Sequence, residues 1–375
     1  MLAMPLPPSD ELGGEEGDID GDDHEFMLIK EGSLVQQGVK QGSTIAVMNK
    51  DGFHGGERVF TIQLPTLGGT QSEMLAMNGY SNGVRSVTSK YSKWGVDIFV
   101  SNRLLNAVTH LELARSDVGA GGDIAAAHVP KQRAIFAVTQ PQQVGSYAGH
   151  VITFHNGGSS KCGRMFDEQE VIVTNEHGLP ILRVGTLGDD IDQNQFQFLR
   201  FFAVNGSEIA LVSAPGELEY CPQRYRIAIF NLHGGAHLRS VSLQQLPQGL
   251  VKSCASVHFT LDGSNFMILD NVSSAVHVVD ALSGALLRSF GSTGNGEMQL
   301  DHPNAMCLSV DGKYIFVADA RNRRVQVWQQ DDGAFVTNFT YASIQVATRI
   351  AQITMTPDGD HLLVLEGPRL HVLNT

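Results

Sequence analysis

The chain has 375 residues, of which 42% are hydrophobic and 17% are charged, and its formal net charge is −13. It contains no apolar run of about 18 residues and no basic segment leading into an apolar one at its start, which argues against a membrane span and a secretory signal. The cysteines are too far apart for a zinc module and are predicted to be buried or reduced thiols. We therefore expect a cytoplasmic protein.

The first 25 residues contain nine acidic side chains and no Lys or Arg, so they account for most of the excess negative charge. This segment is rich in Pro and Gly and has no aromatic residue. Such a composition buries too little apolar area to offset the entropy lost on ordering. We predict a disordered acidic tail over residues 1–25 and a folded domain over residues 26–375.

Short runs of β-branched and aromatic residues, separated by turn dipeptides, follow the acidic segment and indicate strands. Residues 44–47 and 59–64 are predicted to form a strand pair around Asp51-Gly52. Further runs are predicted to form the middle strands of blades: residues 96–100 with 107–113, 134–138 with 150–154, and 209–212 with 226–230 and 238–241. Residues 171–184 and the linker after them have the pattern of a blade-closing hairpin, whose place in the ring stays open.

The strongest pattern is a repeat in the C-terminal third. Asp311-Gly312 has a counterpart 49 residues earlier in Asp262-Gly263 and another 47 residues later in Asp358-Gly359, and the first shift also places Asp270 on Asp319. Periods of about 40–50 residues built from short strands are typical of propeller blades. The sequence therefore predicts an all-β fold, a β-propeller of six or seven four-stranded blades.

The last blade has too few strands within the chain. Residues 370–373 match only its third strand, and an open sheet would expose an unpaired edge. A strand from the N-terminal part should complete this sheet, and we predict that residues 26–29 provide it.

Residues 291–340 carry a more specific signature. It consists of Gly-x-x-Gly-x-Gly-x-x-Gln-Leu from Gly291, His-Pro-x-Ala from His302, and Val-Ala-Asp-x-x-Asn-x-Arg-Val from Val317. This stretch resembles an NHL repeat, with a weaker likeness over 250–290 and 345–373. Two departures are Arg323, where the pattern has His, and Ala275, where the preceding copy lacks the Arg. The resemblance implies a propeller that binds proteins or, in some members, single-stranded RNA.

Two groups of residues in this signature have different expected roles. Asp319 and Arg324 are expected to be structural, because an acid ending one strand and a base beginning the next can form charge-assisted hydrogen bonds. The start of a first strand and the turn between the second and third strands lie at one end of a blade, where loops commonly bind partners. The predicted partner-binding residues at this rim are His302, Asn304, Arg321, Asn322 and Arg323.

Several functions remain open at this stage. A non-catalytic scaffold for protein partners is the leading interpretation, and residues 214–224 form a second candidate binding loop. The cluster at Arg321, Arg323 and Arg324 keeps single-stranded RNA binding as one alternative. A metal-dependent propeller enzyme of the lyase or lactonase type is another. The scattered histidines identify no catalytic residue, metal site or cofactor, and neither a membrane nor DNA is expected as a partner.

Overall fold

A computed structural model describes residues 58–64, 84–92, 95–114, 131–138, 141–156, 169–187, 195–196, 199–213, 225–243, 250–340 and 350–374. These residues form almost entirely β-strands and turns. In this part of the chain no helix has the length and apolarity that crossing a membrane requires. The acidic segment 1–25 lies outside the described residues.

Six four-stranded antiparallel sheets form the blades. Blades 1 to 3 consist of β2 (Val84–Tyr91), β3 (Gly95–Asn102), β4 (Ala107–Ala114) and β5 (Lys131–Ala137); β6 (Pro141–Tyr147), β7 (His150–Asn156), β8 (Gln169–Thr174) and β9 (Pro180–Arg183); and β12 (Leu199–Asn205), β13 (Glu208–Ser213), β14 (Arg226–Asn231) and β15 (His237–Ser242).

Blades 4 to 6 consist of β16 (Cys254–Phe259), β17 (Asn265–Asp270), β18 (Ala275–Asp280) and β19 (Leu286–Phe290); β22 (Ala305–Leu308), β23 (Tyr314–Asp319), β24 (Arg324–Gln329) and β25 (Phe335–Thr340); and β26 (Ile350–Met355), β27 (His361–Glu366), β28 (Arg369–Asn374) and β1 (Arg58–Gln63). Two short parallel pairs lie in the linkers before blades 3 and 5, namely β10 (Thr186–Leu187) with β11 (Gln195–Phe196) and β20 (Ser292–Thr293) with β21 (Gln299–Leu300).

The blades form a closed ring around an axis lined by their first strands. Each first strand contacts the first strand of the next blade, and β26 of the last blade contacts β2 of the first. Six clusters of buried apolar side chains lie between neighbouring blades, one at each interface. Each blade is thus stabilised by packing against its two neighbours, as in other repeat folds. The predicted propeller is confirmed, with six blades.

The ring is closed by an N-terminal strand, as predicted, but not by the predicted residues. The place beside β28 is taken by β1, with Phe60 opposite Val372 and Ile62 opposite Leu370. Ile62 and Leu64 are buried in the cluster between blades 6 and 1. Residues 60–64 alternate apolar and polar side chains, which suits a strand with one buried face better than the continuous apolar run of residues 26–29. Residues 26–29 and 44–47 lie outside the described residues.

The predicted middle strands are correct for blades 1 and 3, but the predicted pairing of residues 134–138 with 150–154 is wrong. Residues 134–138 and 150–154 do not pair, because β5 pairs with β4 in blade 1 and β7 pairs with β6 in blade 2. Strand β6 was missed since its sequence, PQQVGSY, lacks a strand-like apolar pattern. Residues 171–184 fall in β8 and β9, which complete blade 2, and the linker after them has the same parallel pair as the linker before blade 5.

Polar side chains link the first strands of successive blades, whose inner edges lack a partner strand. Gln143 of blade 2 both donates to the carbonyl oxygen of Phe202 and accepts from its amide, each at 2.8 Å, on blade 3. The amide of Val87 donates to Gln352 of blade 6, the amide of Val144 donates to Ser86 of blade 1, and the Asn304 side chain donates to the carbonyl oxygen of Ile350 in blade 6. The amide of Cys254 in blade 4 donates to the hydroxyl of Tyr225, which lies just before the third strand of blade 3. They satisfy backbone groups that would otherwise be buried without partners.

Candidate functional site

Each face of the disc carries its own set of turns. We call upper face the end at which the first strands begin, which also carries the turns between second and third strands. The lower face is the opposite end, with the turns between first and second and between third and fourth strands. The predicted rim of blade 5 belongs to the upper face.

Asp319 organises the upper rim of blade 5. It is fully buried at the end of β23, and its carboxylate accepts from the backbone amide of Asp301 at 2.7 Å and from Asn322 Nδ2 and Arg324 Nε at 2.8 Å each. The predicted contact between Asp319 and Arg324 is therefore present. A buried carboxylate with this many donors holds the linker, the turn and the third strand in one arrangement.

The third strand also fixes the glycine-rich linker in front of blade 5. Arg324 donates to the carbonyl oxygens of Gly296 and Gln299, both at 2.8 Å, and Asn322 Nδ2 donates to that of Gly294 at 2.8 Å. Gly294 has φ of +154°, and a Cβ there would overlap the Gln299 side chain. The Gly-x-x-Gly-x-Gly signature is thus explained by a linker folded closely over the blade.

The position of Asp319 is polar and buried in every blade. The equivalent residues, each at or next to the end of a second strand, are Asn102, His155, Ser213, Asp270 and Glu366. Asp270 accepts from the backbone amides of Lys252, Ser253 and Val272. The repeat in the sequence identifies this position in blades 4 to 6, where Asp270 and Glu366 align with Asp319, but not in blades 1 to 3, where other residue types fill it.

The five predicted rim residues divide into two groups. His302, Arg321 and Arg323 are exposed, and the first two share Asp301, whose Oδ1 lies 2.8 Å from His302 Nδ1 and 3.5 Å from Arg321. Asn304 is buried, with its side chain bonded to the backbone of blade 6, and Asn322 is committed to Asp319 and the linker. These two residues position the rim and offer little surface to a partner.

Arg323 is the most available cation of this rim. Its backbone has φ of +53°, in the left-handed region, and the turn projects its guanidinium to an exposed position with no partner among the described residues. Together with Arg321 and the exposed Lys252 of the neighbouring blade, it makes this sector of the upper face basic. The exposed or half-buried acids described in this sector are Glu297 and Asp301.

The lower face has the opposite charge in its described turns. Exposed carboxylates occur there in blades 2, 4, 5 and 6, on Glu176, Asp262, Asp311, Asp331, Asp332, Asp358 and Asp360. The exposed lysine described among these turns is Lys313, whose Nζ lies 3.2 Å from Asp311 Oδ2. The propeller therefore presents two faces of different chemistry to solution.

Potential metal ligands and cysteine thiols occur among the described side chains. No three His, Cys, Asp or Glu residues in this part of the chain converge as a metal site would require. Cys254 and Cys307 are buried free thiols, as predicted, and burial raises the pKa of both, so they are poor nucleophiles. Cys162, Cys221 and the candidate loop 214–224 lie outside the described residues.

The sheets and the closed ring define the chain as a six-bladed β-propeller. Its structure is similar to the WD40 β-propeller domain of Doa1, with a TM-score of 0.45 and 12% sequence identity, over 84% of this chain and 97% of that one. No family model matches the sequence, and none of the curated proteins matches it either. The likeness of residues 291–340 to an NHL repeat therefore remains a resemblance.

Proposed function

We propose that this propeller is a non-catalytic interaction scaffold that binds protein partners through the upper rim of blade 5, at His302, Arg321 and Arg323. The observation that carries the proposal is the free, exposed guanidinium of Arg323 on a turn held rigid by buried Asp319. A turn whose backbone is fixed before binding loses little backbone conformational entropy in the complex, which favours affinity. The partner surface should be acidic. The cytoplasmic location inferred from the sequence stays a prediction.

Site-specific cross-linking tests this proposal. A photoreactive amino acid placed at position 323 should yield a protein adduct in cells, and the same group at position 287, on the exposed outer strand of blade 4, should not. With the purified partner, Arg321→Glu plus Arg323→Glu should weaken binding about tenfold or more. Equal adducts from both positions, or unchanged affinity of the double variant, would contradict the proposal.

Single-stranded RNA is the second candidate, favoured by the basic character of the same sector. Phosphate contacts make affinity depend steeply on salt, and each lost contact lowers that dependence. Fluorescence anisotropy with an oligouridine should then show affinity that falls with salt and with Arg321→Glu plus Arg323→Glu. An affinity that neither change reduces would exclude RNA binding at this rim. A metal-dependent enzyme would instead be indicated by stoichiometric metal on elemental analysis of the full chain.

A further inference from the structure

The lower face carries exposed apolar side chains on successive turns between first and second strands. Leu261 of blade 4 is 64% exposed and Val310 of blade 5 is 46% exposed. Each is the second residue of a five-residue turn, TLDGS and SVDGK, and Pro357 has the same place in TPDGD of blade 6. Tyr91, at the end of the first strand of blade 1, is 61% exposed. We call these four residues the lower arc.

The lower arc is continuous from blade to blade. Leu261 lies over Gly312 of the next turn, where its Cβ is 3.0 Å from the position a glycine Cβ would take. Val310 lies over Gly359, with its Cγ2 3.7 Å from the position a glycine Cβ would take. Tyr91 donates its hydroxyl to the carbonyl oxygen of Pro357 at 2.9 Å, which connects blade 6 to blade 1. Exposed apolar side chains joined in this way, with polar groups around them, are typical of interaction surfaces.

Carboxylates flank the lower arc. Asp262, Asp311 and Asp358 follow the apolar residue in each turn, and hydrogen bonds from Thr260 and then Ser264 hold the pKa of Asp262 below its usual value. Asp331 and Asp360 are exposed, and their carboxylates have no partner among the described residues. These two can form ion pairs with a ligand without giving up an interaction in the turn.

We propose that the lower arc binds a basic segment of a partner protein that presents apolar side chains between its lysines or arginines. Charge complementarity identifies the occupant, because the described turns around the arc carry several exposed carboxylates and Lys313 alone as an exposed lysine. The apolar side chains of the partner segment would cover Leu261 and Val310, and its lysines or arginines would face Asp331 and Asp360. This second surface lies opposite the rim proposed above and does not depend on it.

Peptide binding to the full chain tests the proposal. The probe is a labelled peptide in which lysines alternate with leucines, and its affinity is measured by fluorescence anisotropy. Leu261→Ser plus Val310→Ser should weaken binding about tenfold, since the apolar contacts are lost. Asp331→Asn plus Asp360→Asn should weaken it about threefold or more at low salt and less at high salt. Peptides with serine for leucine, or aspartate for lysine, should bind at least tenfold more weakly.

Matched controls distinguish binding at the lower arc from nonspecific apolar or electrostatic binding. Leu287→Ser removes a leucine that is 53% exposed on the outer strand of blade 4, and Glu297→Gln removes an exposed acid of the upper face, and both should leave the affinity unchanged. Equal binding by all variants, or by the aspartate peptide, would overturn the proposal. So would self-association in sedimentation velocity that Leu261→Ser plus Val310→Ser abolishes, which would identify a second copy as the occupant. Faster hydrogen exchange of residues 26–57 in the Leu261→Ser plus Val310→Ser variant, measured without peptide, would also overturn the proposal. It would identify this segment of the same chain as the occupant of the lower arc.

Discussion

Aspartates on the two faces of this propeller have opposite environments. On the upper face, Asp270 and Asp319 are fully buried and accept hydrogen bonds from backbone amides and side chains. On the lower face, Asp331 and Asp360 are exposed, and their carboxylates have no partner among the described residues. The same residue type thus stabilises the fold on one face and charges the surface on the other.

This difference determines the charge that each face presents. Asp270 and Asp319 of the upper face are turned inward and paired. The cations Arg321, Arg323 and Lys252 therefore outnumber the remaining acids, Glu297 and Asp301, on its rim in blades 4 and 5. The lower turns use only part of their carboxylates for local hydrogen bonds, and the remainder face solvent. Net charge alone, at −13, would not have indicated a basic sector.

The largest expected effect is on the upper face. Asp319→Ala should lower the free energy of unfolding by about 3–5 kcal/mol, because it leaves Arg324 and several buried donors unpaired. Asp331→Ala is the matched change on the lower face and should cost less than about 0.5 kcal/mol. Urea unfolding of both variants measures the contrast, and equal losses would show that the two aspartates do not differ as described.

Closure of the ring concerns both faces, because β1 runs from the lower face at Arg58 to the upper face at Gln63. Ile62→Ala should cost about 3 kcal/mol, since it opens a cavity between blades 6 and 1. Leu287→Ala, on an exposed outer strand, should cost far less. A thermal melt that Ile62→Ala leaves unchanged would argue against β1 as the closing strand.

Acidification should lower the free energy of unfolding, because several histidines lie within the strands between the two faces. Burial lowers the pKa of His258 from 6.5 to about 4, and a hydrogen bond that the imidazole donates to the backbone of Met306 partly opposes this shift. The unfolded chain binds a proton near pH 6.5 that the folded chain binds only near pH 4, so stability is full above pH 6.5 and declines as the pH falls.

For His258 this loss amounts to about 2 kcal/mol by pH 5. Burial also lowers the pKa of His155 and His277, so their contributions have the same sign. Urea unfolding between pH 7.5 and 5 measures the slope, which His258→Gln should reduce. If the slope were unaltered in His258→Gln, His258 would not be neutral in the folded protein as described.

The smallest effects should come from the exposed charges that distinguish the faces. Arg323→Ala on the upper face and Asp360→Ala on the lower face should each change the free energy of unfolding by less than about 0.5 kcal/mol, because neither side chain has a partner among the described residues. Their effects should appear in binding instead. A loss of more than about 1 kcal/mol in urea unfolding from either change would assign that residue to the fold.

The sequence predicted blades 4 and 5 well because their turn dipeptides and strands repeat almost residue for residue. It missed β6, whose residues PQQVGSY are held by packing between neighbouring blades and by Gln143 bonding to Phe202. It also misplaced the closing strand. Pairing across more than 300 residues is decided by which segment fits the open edge and buries Ile62 and Leu64, and local apolar content does not report this fit.

The candidate rim was predicted only as a group of neighbours. Antiparallel topology correctly placed His302, Arg321 and Arg323 together on one face, but a residue's identity does not tell whether its side chain faces solvent. Asn304 and Asn322 are equally polar, but Asn304 donates to the backbone of blade 6 and Asn322 donates to Asp319. The sequence did not predict the lower arc for the same reason, since Leu261 and Val310 look like ordinary strand-flanking residues.

By itself, the sequence determined the repeat, the all-β class, the need for an N-terminal closing strand and the pairing of Asp319 with Arg324, because periodicity and turn chemistry are local properties. Only the tertiary structure decided the number of blades, the identity of β1, and which charges remain free on each face. Those outcomes depend on how six sheets close a ring and on which buried backbone groups each carboxylate must satisfy, and both are set by contacts between residues far apart in the chain.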